Sequence, residues 1–171
     1  MTEARKPAAQ EVEAHRFADD GRIPNNPHLP LLLYRRAIRP DAPDVARAFE
    51  DLFTRNGWPA AWRNGIYPFP HFHSTAHEAL GIAAGRATVR LGGETGITVE
   101  LRAGDAVLIP AGVGHQNLGS SPDLLVVGAY PRGQSADLCR GAPDERPDVL
   151  ERIHAVPPAA HDPVTGLPSA A

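Results

Sequence analysis

A single cysteine, Cys139, stands in a chain of 171 residues, so no intramolecular disulfide is possible and nothing points to an oxidising compartment. Cys139 also lacks the neighbours that mark an activated thiol and reads as structural or incidental. A basic excess is missing as well: a formal net charge of −3 gives no electrostatic basis for binding nucleic acid or an anionic membrane. Arg35, Arg36 and Arg39 form a small basic cluster and read as a solvated face. Apolar runs are short. The longest, Leu29 to Tyr34 and Leu124 to Tyr130, fall far below the roughly 20 residues of a membrane-spanning helix. Met1 to His15 is charged and has no apolar stretch, so no secretory signal is expected and the cytoplasm is the expected location.

What is plentiful is proline, at 18 residues, and glycine, at 16, which fits short strands joined by tight turns and irregular arms. A hydrophobic content of 42% and a charged content of 22% are ordinary for a soluble globular protein, and the length suits one well-buried domain. The expected organisation is a polar N-terminal segment over 1–22, frayed through Met1 to Glu13, then a β domain over 23–135 and a loop-rich extension over 136–171. Pro24, Pro27 and Pro30 forbid a helix through Ile23 to Pro30, which predicts an extended arm on the surface. Leu31 to Ile38 reads as a strand. Val45, Ala48, Phe49, Leu52 and Phe53 make one apolar helical stripe, capped by Asp41 or Asp44 and stopped by Gly57, suited to covering the outside of a sheet. From Trp62 to Pro131 the pattern becomes short β segments. Ala87, Val89 and Leu91 alternate with polar neighbours, as do Ile97, Val99 and Leu101 across a glycine-rich turn. Ala106 to Ile109 and Leu124 to Tyr130 are apolar strands, and a short helix is expected near Pro147 to His154.

The chemistry concentrates in His71-Phe72-His73, Glu78 and the distant His115. Imidazoles two positions apart diverge on a helix but share one side of a strand. Ser74 to His77 form a short polar loop that can return the Glu78 carboxylate beside them. Neutral imidazole and carboxylate suit divalent first-row metals, so a metal site inside a β structure is expected. His77 competes with Glu78 as a donor, being adjacent and chemically able. Tyr130 and Arg132 follow the last core strand and could reach the site to hold an anionic substrate, though a packed tyrosine and an exposed arginine is the preferred reading. Phe69, Phe72, Trp58 and Trp62 read as core or interface aromatics. Ser74 has no partners that would make it a nucleophile, and the Leu91 to Gly96 turn is no phosphate cradle.

With Gly65 and Gly85, these residues read G-x5-H-x-H-x4-E-x6-G. Gly104 to His115 reads G-x5-P-x-G-x2-H. Both resemble the signatures of the cupin superfamily, except that the asparagine expected four residues after the last histidine is Gly119, with Asn117 the nearest substitute. Ile23-Pro24-Asn25-Asn26-Pro27, Val127 to Pro131 and Asp162-Pro163-Val164 extend the resemblance to the small bacterial cupins of the YjlB-like type. That resemblance implies a mainly β fold, a double-stranded β-helix or jelly-roll barrel with an N-terminal arm and one flanking helix. It implies His71, His73, Glu78 and His115 as metal ligands and favours Glu78 over His77. The implied cofactor is a divalent transition metal (iron, manganese, nickel, cobalt or zinc). A small oxygen-bearing substrate is expected to enter beside His115, between apolar walls of Leu80, Ile82 and Ile109. Dioxygenase, decarboxylase and isomerase chemistries are all implied, as is a non-catalytic binding role. A homodimer with the Ile23 to Leu33 arm in the contact is expected.

Overall fold

The computed structural model of the protein describes residues 11–169. Among the described residues nine strands form two antiparallel sheets. The larger takes the order β1-β2-β7-β4-β9-β3, built from β1 (Val12–His15), β2 (Leu31–Tyr34), β3 (Ala60–Asn64), β4 (Glu78–Ala84), β7 (Ala106–Ile109) and β9 (Leu125–Ala129). The smaller takes the order β6-β5-β8, from β5 (Arg86–Leu91), β6 (Ile97–Arg102) and β8 (His115–Ser120). Alternation along each strand turns one apolar set inward. Leu31 and Leu33, Leu80 and Ile82, Val107 and Ile109, and Val126 meet Ala87, Val89, Leu91 and Leu101 of the smaller sheet in one core. This is a jelly-roll architecture.

The opposite parity of the large sheet faces outward and is not left to solvent. Tyr34, Ala79, Ala106, Val127 and Ala129 are covered by helix α1 (Val45–Arg55). Asp44 caps the helix by accepting the Arg47 N–H at 3.0 Å, and the chain leaves it through Gly57 at φ +86°. Phe49 stands on Gly81 of β4, where a Cβ would lie 2.5 Å from the ring, so the absent side chain makes the seat for the phenyl group. A second helix, α2 (Asp148–Ala155), packs Val149 and Ile153 against Phe72, Ala111, Cys139 and Ile23.

Four expectations change. The strand after Pro30 ends at Tyr34 rather than Ile38, because Arg36 turns to φ +52° and its N–H goes to the Asp105 carboxylate at 3.1 Å. Asp105 is buried and holds the guanidinium of the half-buried Arg35 at 2.9 Å, so Arg35 is tied into an ion pair, while Arg36 and Arg39 stay exposed as expected. The Ile23 to Pro30 arm is inserted rather than laid on the surface: Ile23, Asn25 and Asn26 are buried. Asn25, at φ +56°, bonds the Ala18 and Gly92 carbonyls and the Gly114 N–H through its side chain. Finally, Val12–His15 is an ordered edge strand paired with β2, so fraying does not reach Glu13; Met1 to Gln10 lie outside the described residues. The tail after α2 also folds back, with Trp58 donating its indole N–H to the His161 carbonyl at 2.9 Å and Tyr34 bonding Asp162. Among the described residues no helix is long and apolar enough to cross a membrane.

Candidate metal centre

The histidine pair lies on a short extended segment rather than in a full strand. His71 pairs with His115 at the start of β8, and Phe72 pairs with Cys139 on the other side. Alternation then does what period two requires: Phe72 turns into the α2 cluster, while His71 and His73 turn into the barrel mouth. Glu78 opens β4 on the same parity as Leu80 and Ile82 and so points inward. His77, one residue earlier, points the other way, and its Nδ1 accepts the Ala111 N–H at 2.9 Å. The structure therefore brings His71, His73, Glu78 and His115 together and sets His77 apart.

Donor atoms of the three histidines lie within 4.8 Å of one another. The Glu78 carboxylate approaches two of them, 3.3 Å from His73 Nε2 and 3.2 Å from His115 Nε2. Each imidazole is anchored at its other nitrogen. His71 Nδ1 meets the Phe69 carbonyl at 3.0 Å, His115 Nδ1 the Val113 carbonyl at 3.2 Å and His73 Nδ1 the Asp137 carbonyl at 2.5 Å. A carbonyl can only accept, so each Nδ1 carries the proton, which directs Nε2 to the shared centre. Burial, then the neighbouring His115, lowers the His71 pKa to about 3, which keeps that imidazole neutral with its lone pair free. Burial resists charge on Glu78, but protons shared with Nε2 of His115 and His73 outweigh it and hold the carboxyl far below its usual range; metal binding would release those protons. Freed of those protons, three clustered imidazole nitrogens with a carboxylate beside two of them suit a divalent transition metal.

Beside this cluster opens a cavity of about 390 Å³ with walls that include Trp62, Asn64, Tyr67, Leu80, Tyr130 and Leu138. The expectation of purely aliphatic walls needs correcting, since Ile82 and Ile109 sit deeper in the core and the cavity carries several polar groups. Tyr130 continues the inward parity of β9, and its hydroxyl accepts the Trp62 indole N–H at 3.0 Å. Gly128 makes that possible: a Cβ there would fall 2.0 Å from the Trp62 ring, so only glycine lets the indole lie across β9. Trp62 and Tyr130 are thus cavity residues rather than simple packing groups, and alternation along β3 and β9 was the signal that could have located them. Burial, then the Glu78 charge, pushes the Tyr130 hydroxyl up to about 12, so it stays protonated at neutral pH. Arg132 is exposed. Among the described residues no lysine or arginine lines this cavity. Asn117 is turned to local work, accepting the Gly119 N–H at 2.9 Å and donating to Ser120 Oγ at 3.2 Å.

Comparison with known proteins agrees with this architecture. The cupin domain family matches residues 63–126, the stretch from β3 through β9 that carries all four clustered residues. The uncharacterised protein YjlB of Bacillus subtilis (strain 168) is 43% identical over 157 residues, covering 92% of each chain. The chain belongs to the cupin family. Within that family its full-length likeness is to the YjlB type. Solved structures that the chain matches include a DUF861 family protein from Thermotoga maritima, at 20% identity and a TM-score of 0.34 over 54% of this chain and 94% of that one. Another is acireductone dioxygenase from Bacillus anthracis with a cadmium ion in its active centre, at 15% identity and a TM-score of 0.39 over 74% and 82%. A third is RmlC from Streptococcus suis in complex with dTDP-D-xylose, at 12% identity and a TM-score of 0.38 over 80% and 74%.

Proposed function

We propose that this cupin holds one divalent transition metal (iron, manganese, nickel, cobalt or zinc) on His71, His73, Glu78 and His115, and acts as a metalloenzyme on a small oxygen-bearing metabolite. The observation that carries this reading is the set of three imidazoles whose Nδ1 protons are all consumed by backbone carbonyls, leaving every Nε2 aimed at one buried centre beside Glu78. When bound, the ion supplies a Lewis acid with open coordination positions. The chain's own groups do the rest. Trp62, Tyr67 and Leu138 shape an apolar mouth, and the protonated Tyr130 hydroxyl offers a hydrogen bond to a substrate oxygen. Absence of lysine and arginine from the described lining favours a substrate whose oxygens are held by the ion rather than by a cationic pocket.

Anaerobic reconstitution with each metal, followed by metabolite screening with oxygen-uptake and product detection, tests the enzymatic reading. Turnover dependent on a single reconstituted metal supports it. Tight ligand binding without turnover, across the screen, favours the alternative of a non-catalytic metal- or small-ligand-binding cupin.

A homodimer within the cytoplasm completes the proposal. The arm is fastened to its own chain through Asn25 and Asn26, so association through a sheet edge disturbs less than exchange of the arm. β1 and β3 are the terminal strands of the larger sheet, and Val12 on β1 is exposed. Light scattering at micromolar concentration should give twice the mass of the 18.3 kDa chain; the monomer mass contradicts it.

A further inference from the structure

Two of the three imidazoles are anchored by their own neighbourhood, to carbonyls two residues away. His73 is different. Its Nδ1 partner is the carbonyl of Asp137, 64 residues further along, in the irregular segment after β9. That segment is stitched to the His73 loop at every step. Phe72 and Cys139 exchange backbone hydrogen bonds of 3.0 and 2.9 Å. Thr75 donates its hydroxyl to the Ser135 carbonyl at 2.7 Å and accepts the Asp137 N–H at 3.0 Å. Gln134 accepts the His77 N–H at 3.0 Å.

The Asp137 carboxylate is the centre of this seam. It accepts the Ser74 N–H at 2.6 Å and the Ser74 hydroxyl. Ser74 is fully buried, and its oxygen in turn accepts the Arg152 Nε–H at 2.8 Å, with Arg152 reaching from α2. Arg152 Nε also lies 3.7 Å from the carboxylate. The Cys139 thiol stands 3.3 Å from the same oxygen, which gives the lone cysteine a packed, hydrogen-bonded place. Burial opposes ionisation of Asp137, yet the Ser74 bonds hold its carboxyl below the usual range.

We propose that Asp137 is a positioning residue for the metal centre: its carboxylate, clamped by Ser74 and Arg152, fixes the backbone carbonyl that orients His73, and so couples docking of the 134–139 segment to metal binding. The inference rests on the metal reading above. A group that sets the orientation of a coordinating imidazole changes its affinity without touching the ion. Linkage then makes the effect mutual, so a bound metal stabilises the docked segment as the docked segment stabilises the metal. Ala136, Asp137 and Leu138 also line the cavity, which places the same segment at the entrance a substrate would use.

The test compares the full-length protein with Asp137→Ala and Asp137→Asn, using cobalt as the probe and nuclear magnetic resonance of the metal-free protein. In the wild type the His73 Nδ1 proton, sheltered against the Asp137 carbonyl, should give a slowly exchanging ring N–H signal. Asp137→Ala should lose that signal, weaken cobalt binding by about 10–100-fold and shift the visible spectrum of whatever cobalt still binds, while Asp137→Asn, which keeps an acceptor for the Ser74 N–H, recovers part of each. Should Asp137→Ala fail to fold, Ser74→Ala removes the clamping hydroxyl and is read in the same way. A ring proton that survives in the variant, with cobalt affinity unchanged, overturns the proposal. A wild-type protein that binds no cobalt overturns the metal reading instead, and the ring-proton comparison still decides the role of Asp137.

Discussion

A His73→Ala variant is expected to lose metal while keeping its fold. His73 sits at the mouth with one face on the cavity, and its removal deletes a donor and the hydrogen bond to Asp137 but no strand pairing. Loss of a coordinating side chain should exceed the roughly 10–100-fold cost of losing a group that merely orients one, so metal content should fall from near stoichiometric to background. Metal analysis after gel filtration reads the first effect, and the far-ultraviolet circular dichroism of the same sample reads the second. Full metal content in the variant would show that His73 is not a ligand. A lost β signal would show that the site and the barrel cannot be separated.

The largest structural effect should come from Phe49→Ala. Phe49 is wholly buried between α1 and the outer face of β4, packed on the vacant side of Gly81 and tilted against Phe53 at 5.5 Å between ring centroids. Truncating a fully buried phenylalanine costs about 3–5 kcal/mol through lost transfer energy and the cavity left behind. In a chain of this size that lowers the thermal midpoint by roughly 6–20 °C. The metal-loaded protein should show the same loss, because α1 covers the sheet face opposite the clustered histidines. A midpoint that stays within the error of the wild type would mean that the helix is an appendage rather than a cover.

Much of this was legible in the chain because period and punctuation carry it. The stripe from Val45 to Phe53 and the glycine after it located the end of α1 to within a residue, and of the two caps it left open, Asp41 and Asp44, Asp44 serves. Alternation in 86–91 and 97–102 located the β5–β6 hairpin. The cluster was legible for the same reason: the H-x-H spacing and the inward parity of β4 bring His71, His73 and Glu78 to one side of the barrel, and His115 opens β8 opposite His71. What stayed hidden depends on distant partners. Nothing in Leu31 to Ile38 announces that Asp105 will capture the Arg36 N–H and end the strand. Three prolines show that the arm is extended but not that Asn25 is buried among Gly92 and Gly114. The role of Asp137 has no periodic signature at all, since it lies in irregular chain and acts through a carbonyl, which every residue has.

The measurement that bears most directly on the central claim is anomalous diffraction from crystals of the protein loaded with manganese or cobalt. One peak per chain is expected in the barrel mouth, about 2.0–2.3 Å from Nε2 of His71, His73 and His115 and from a Glu78 oxygen, with remaining positions facing the cavity beside Tyr130. No peak there, or a peak whose ligands include His77 in place of Glu78, would contradict the claim.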